Sequence, residues 1–293
     1  MSGFSEEWLA LREPYDERAR NPRIVEAVVA SLAERMPIRI VDLACGSGSM
    51  VRALAPRWPV SQHWRLVDND LGLLARAAAI YSRPNVEVET VALDLDRDLD
   101  IALDGPIDLV TASALLDLVS RSWLERLADR IAAGSLPFYA ALTYNGRIEI
   151  GASHPLDATV VAAVNSHQRG DKGFGPALGP TAGDVAISCL EARDYSVIRG
   201  AADWVIGSSD RDMQFKLFAD WAQAAREMGK LSVAELERWL DFRRVRIAAG
   251  QPSLRVGHVD VFAWPTGRRR PDKSKSMSMS PPSGKARIRA RRA

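Results

Sequence analysis

The sequence predicts a doubly wound α/β fold, with a mostly parallel sheet and helices on both faces. Three observations lead to that expectation. Short runs rich in Val, Ile and Leu alternate with helix-periodic segments between residues 38 and 145, the pattern of a parallel sheet covered on both sides. The first run passes straight into a glycine loop, Ala44-Cys45-Gly46-Ser47-Gly48, before a helical stretch. Acidic residues recur where successive runs end, at Asp68 and Asp94, and open α/β sheets bind ligands outside the carboxyl ends of their strands.

The elements follow in order. Asn21-Pro22 reads as an N-cap followed by proline in the first helical turn, and Ile24, Ala27, Val28 and Leu32 recur at helical spacing. A β-branched run over 38–43 is the first strand, and 50–58 is helical. A second strand over 64–67 ends in Asp68, and 71–81 is helical again. Strands follow over 86–95 and 107–111. Ser122 and Glu125 have capping-box spacing for the next helix, which ends near Gly134. Residues 138–144 form the fifth strand.

The second half reads more coarsely. A helix over 156–168 precedes the Gly-rich loop 169–175. Thr181 caps a helix running to 192, and 195–198 is a sixth strand. A long helix covers 210–228. Ser232 and Glu235 repeat the capping-box spacing, Gly250 closes that helix, and 254–264 alternates as a final strand. The late strands fit an addition to the same sheet. The domain reading is an N-terminal helical segment over 1–36, a main domain over 37–265 whose 151–250 region is partly lid or acceptor-binding, and a tail over 266–293.

Composition narrows the class. Of 293 residues, 47% are hydrophobic and 26% charged, enough for a sizeable core. No apolar run reaches the roughly 20 residues of a membrane-spanning helix, and the charged N-terminus does not resemble a signal peptide. Cys45 and Cys189 are the only cysteines. Disulfide stapling and structural zinc are therefore not indicated, no metal is expected, and a reducing, cytoplasmic setting is. Residues 268–293 hold ten Lys/Arg against one Asp, so the rest of a chain of formal net charge +2 is acidic. The Ser/Pro-rich tail is almost free of large apolar side chains and is expected to be disordered. It reads as a solubilising tail, or as an electrostatic arm for RNA, lipid or an acidic partner.

The glycine loop is the most informative segment. Two glycines spaced by one residue between strand and helix let the backbone turn sharply and approach a ligand. A dinucleotide fingerprint wants a third glycine at position 51, which is Val, and no Lys-Ser/Thr follows as in a P-loop. Asp42 would repel a pyrophosphate but suits a cationic ligand.

Asp42-Leu43-Ala44-Cys45-Gly46-Ser47-Gly48 resembles motif I of class I S-adenosylmethionine-dependent methyltransferases. Asp68 matches that family's acidic residue for the ribose hydroxyls, with Asn69 beside it. Asp94 and Leu95 match its adenine contact, and the segment through Ser113 resembles the stretch beneath the methyl donor. The resemblance implies a Rossmann-like, seven-stranded sheet with an antiparallel last strand. It implies S-adenosyl-L-methionine as cofactor, contacted by Asp42, Ala44, Gly46, Gly48, Asp68, Asn69, Asp94, Leu95 and Ser113. The family often folds an N-terminal segment over the cofactor, which would bring Tyr15 and an arginine, Arg18, to its carboxylate end; Arg12 lies in the same segment.

Methyl transfer from a sulfonium needs mainly orientation and exclusion of water. A base is required only if the acceptor must lose a proton. His167, Asp117, Tyr144 and His154 are the candidates, and spacing singles out none. Residues 112–115 lack the Asn/Asp-Pro-Pro-aromatic signature of amino-methyltransferases acting on bases or glutamine. A small-molecule acceptor is therefore favoured. The alternatives are an RNA or protein methyltransferase using the basic tail, or a non-catalytic S-adenosylmethionine-binding module; a nicotinamide oxidoreductase is disfavoured by Val51 and Asp42.

Overall fold

A computed structural model describes residues 5–80, 83–251 and 253–267; the basic tail lies outside the described residues. Five strands run parallel in the first half: β1 (Ile38–Leu43), β2 (Gln62–Asp68), β3 (Val86–Ala92), β4 (Leu109–Ser113) and β5 (Phe138–Ile150). The second half adds β6 (Tyr195–Ala201), β7 (Trp204–Ile206) and β8 (Leu254–Pro265). The sheet order is β3-β2-β1-β4-β5-β8-β6, with β7 also pairing β8. The last strand, β8, is antiparallel to β5, β6 and β7. The sheet thus has eight strands, one more than expected, because residues 202–203 break its last edge into β6 and β7.

The helices are α1 (Glu6–Ala19), α2 (Pro22–Ser31), α3 (Ser49–Leu54), α4 (Leu71–Ile80), α5 (Leu99–Ala102), α6 (Arg121–Gly134), α7 (Asp157–His167), α8 (Ala182–Glu191), α9 (Arg211–Glu227) and α10 (Val233–Ala248). Asn21 caps α2 through its side chain, with Pro22 in the first turn, and Ser232 with Glu235 forms the full capping box of α10. The cap of α6 is Ser120 rather than Ser122: its Oγ accepts from the Trp123 N–H, while Ser122 sits in the first turn 3.1 Å from that oxygen. Thr181 precedes α8 but makes no side-chain cap.

Apolar side chains from α2, α3 and α4 pack on one sheet face with Ile38, Ile40, Trp64 and Leu66. Those of α6 and α8 pack on the other with Leu43, Val110, Phe138 and Ala140. Helices on both faces are therefore present at the sheet centre. The single turn of α5 leaves part of β2 and β3 uncovered, and that open face pairs His63 with Glu87 and Arg65 with Glu89. A third core joins α7, α9 and α10 to the far ends of β5, β7 and β8 through Trp204, Phe218, Trp221 and Trp239. The region after residue 150 therefore does two things: it completes the sheet and builds a helical layer beside it. Among the described residues, no helix is long and apolar enough to cross a membrane.

Candidate active site

The site grows from the carboxyl ends of β1, β2 and β4. Asp42 lies on β1, almost wholly buried, and its Oδ1 accepts from the Thr111 hydroxyl of β4 at 2.8 Å. Parallel pairing sets Asp42 opposite Thr111, so register creates this contact. Burial pushes the Asp42 carboxyl up to about 7, against the opposite pull of Thr111 and Arg20. Beyond it the chain turns through Ala44, Gly46 and Gly48, all at positive φ. At Gly48 (φ +82) a Cβ would stand 3.2 Å from the Ala77 Cβ and 3.3 Å from Val51 Cγ1, so the position demands glycine for both conformation and packing.

Asp68 ends β2 and fastens this loop. Its Oδ2 accepts the Gly46 N–H at 2.8 Å and its Oδ1 accepts the Asp70 N–H at 3.0 Å. Asn69 beside it is exposed. Asp94 follows β3, is exposed, and accepts the Asp96 N–H. Leu95 is buried, and its carbonyl accepts from the Trp123 indole at 2.7 Å. Ser113 ends β4, half-buried, ahead of Ala114 at positive φ. The strand-end residues read from sequence thus share one rim of the sheet.

Helix α1 lies across that rim. Leu9 would be 3.6 Å from a Cβ at Gly46, Glu13 pairs with Arg52 of α3, and Glu6 pairs with Arg76 of α4. Tyr15 is buried, with Asp210 as a hydrogen-bond partner, and Arg18 stacks on its outer side, 4.6 Å from the ring centroid. Arg18 is exposed. The inward-facing arginines are Arg12 and Arg20, both more than nine-tenths buried. Arg12 makes two hydrogen bonds to Asp16 and lies 5.1 Å over the Trp204 ring. Arg20 acts on Asp42 and lies by Tyr139 and Asp260; its Nε and Nη2 have no hydrogen-bond partner among the described residues.

Past β4, Asp117 is buried. Loss of water raises its carboxyl to about 6, opposed by backbone N–H groups, including that of Tyr144, and by Arg12. Its Oδ1 has no hydrogen-bond partner among the described residues. Tyr144 donates its hydroxyl to Asn165 Oδ1 at 2.8 Å, and its ring meets His258 edge-on. His258 is buried, accordingly held neutral with its pKa lowered to about 3, and stacks against Trp204. Arg12, Asp117, Tyr144, His258 and Trp204 therefore form one cluster.

Of the four base candidates, the structure joins Asp117 and Tyr144. His167 does not join them: it ends α7 and pairs with Glu227 at 2.8 Å. His154 is used in the turn before α7, where its Nδ1 accepts from the Leu156 N–H. Thr111, Arg20, Trp204 and His258 carried no motif signal in the sequence. Two surface hollows, about 430 and 520 Å³, lie over the open face of β1–β3 and beside α7. Neither is lined by the glycine loop, Asp68 or Asp117. The convergent polar groups, rather than these hollows, mark the site.

Residues 40–134 match the family model described as a methyltransferase domain. A methyltransferase domain is thus recognised over residues 40–134, about a third of the chain. Trans-aconitate 2-methyltransferase of Streptomyces avermitilis is 36% identical over 121 residues, 40% of this chain and 41% of that protein, so the match spans about two fifths of the relative. Two solved structures are similar at lower identity. The YcgJ protein of Bacillus subtilis gives a TM-score of 0.46 at 14% identity, covering 84% of this chain and 99% of that one. A SAM-dependent methyltransferase from Geobacter sulfurreducens, in complex with S-adenosyl-L-homocysteine, gives 0.41 at 15%, covering 90% and 98%.

Proposed function

We propose that this chain moves the methyl group of S-adenosylmethionine to a small-molecule acceptor. The carrying observation is the charge arrangement under the glycine loop. Asp42 is a buried carboxyl able to face a cation, and Arg20 beside it holds two nitrogens, Nε and Nη2, without a hydrogen-bond partner among the described residues. That pair suits the ammonium and carboxylate of an amino-acid end. Asp68 retains lone pairs for ribose hydroxyls after accepting two backbone N–H groups. Asp94 and Leu95 would meet the adenine, and Ala44, Gly46, Gly48, Asn69 and Ser113 would line the remainder. When bound, the cofactor supplies a methyl on a sulfonium with its own leaving group, so the protein's tasks are orientation and removal of water.

Residues 1–36 would cover the cofactor, 37–265 would form the methyltransferase domain, and α7, α9 and α10 would border the acceptor. Tyr15 closes the crevice with α1, and Arg18 supports it from outside. Asp117 and Tyr144 are the base candidates that lie together, whereas His167 stands apart at the end of α7 with Glu227. Helix α1, held across the rim by its ion pairs to α3 and α4, favours a compact acceptor over a polymer. Acceptance of label from methyl-labelled S-adenosylmethionine by the low-mass filtrate of a cell extract would support this reading. Label confined to the retained RNA or protein would overturn it.

A further inference from the structure

Most of the polar groups in the cluster past β4 are paired with one another or with the backbone. Arg12 is committed twice to Asp16. Asp16 also accepts from the Trp204 indole at 2.9 Å. Tyr144 donates to Asn165, and the His258 Nδ1 lies 3.1 Å from the Val256 carbonyl. What remains is Asp117 Oδ1, a carboxylate oxygen in a residue 6% exposed, without a partner among the described residues. An unsatisfied buried acceptor costs free energy, and a ligand that brings a donor recovers it.

The charge balance says which donor. Asp16 neutralises Arg12, and His258 is neutral. The groups facing Asp117 are thus Arg12 from α1, with its counter-ion, and Tyr144 from β5. The cluster is therefore net negative by the Asp117 carboxylate when that group is ionised. The Tyr144 ring borders it, and aromatic faces favour cations. A carboxylate-bearing acceptor would meet like charge here.

We infer that the methyl acceptor is an amine that donates N–H to Asp117 Oδ1. This rests on the reading of the chain as a methyltransferase. Asp117 takes a proton from the ammonium form, and the freed nitrogen lone pair attacks the methyl carbon. The carbon–sulfur bond breaks with its electron pair left on sulfur, giving a neutral thioether and a methylated ammonium; Asp117 then returns its proton to solvent. Asp117 is out of solvent beneath Arg12, so the acceptor reaches it by displacing α1 locally.

The test is calorimetry on the full chain loaded with S-adenosylhomocysteine, using charge-inverted pairs: benzylamine against benzoate, and butylamine against butyrate. Each amine should bind at least about tenfold more tightly than its carboxylate partner, the scale of a charge-assisted hydrogen bond. Asp117→Asn, which keeps the side-chain size, should remove that preference while leaving S-adenosylhomocysteine affinity near wild type. Equal affinities, tighter carboxylates, no binding of either partner to the loaded protein, or an amine preference that survives Asp117→Asn would each overturn the inference. Failure of S-adenosylhomocysteine itself to bind would instead overturn the cofactor reading.

Discussion

Asp42 is held out of water by β1 and β4, and its titration should report on both folding and cofactor. An unfolded aspartate titrates near about 3.9, whereas the folded carboxyl is raised to about 7. The folded state therefore holds the extra proton between those values, and the stability this proton confers is full below about 4 and lost as pH rises towards about 7. Asp42→Asn should melt above wild type at pH 8, by roughly 2–4 °C per kcal/mol recovered, with the gain gone at pH 4. Thermal melts at both pH values check this; an equal difference at both would contradict it. The same variant should bind S-adenosylmethionine more weakly. Asp42, Gly46, Gly48 and Asp68 were legible in the sequence because their types and spacing follow from local backbone demands. Arg12 and Arg20 were not: one arginine in a charged helix looks like another until packing buries it, and Arg18, the arginine chosen from sequence, is exposed.

Two elements decide how the rim is assembled. The first is β5, read from alternation as a simple strand ending at 144. It runs to Ile150, and its register on β8 shifts between Ala140 and Thr143. Leu142 there has positive φ, and its N–H donates to Asp260 at 2.8 Å; Asp260 also accepts from Asn21 N–H and Tyr139. The bulge puts Ala141 and Leu142 in the same core cluster and turns Tyr144 towards Tyr15 and Trp204. No local signal in 138–144 encodes that shift, because its anchor lies on β8, distant in sequence. Asp260→Ala should destabilise the fold by about 2–4 kcal/mol, since buried partners lose their acceptor, as urea unfolding would measure; less than about 0.5 kcal/mol would contradict the anchoring role. The second element is the glycine loop. Gly48→Ala should cost about 1–3 kcal/mol through its φ and the contact with Ala77. A change within about 0.5 kcal/mol would show that the turn relaxes without strain.

Across the whole molecule, the mostly parallel sheet and the antiparallel β8 agree with the fold read from the alternation and the resemblance. The helical layer of α7, α9 and α10 was legible only as separate helices, because their mutual packing through Phe218, Trp221 and Trp239 depends on contacts distant in sequence. Charge is segregated at this scale too: residues 268–293 are strongly basic while the rest of the chain is acidic. For a small-molecule enzyme, deleting residues 268–293 should leave turnover and its salt dependence unchanged; a loss of affinity that steepens with falling salt would indicate a polyanionic substrate. Cofactor recognition is proposed to lie at the ends of β1 and β2. Its most direct test is calorimetric titration of wild type and Asp68→Ala with S-adenosylmethionine and S-adenosylhomocysteine, with NAD as control. Saturable binding of both sulfur nucleosides is expected, with none of NAD and at least about tenfold weaker binding by Asp68→Ala. Folded wild-type protein that binds neither sulfur nucleoside, or that binds NAD instead, would contradict it.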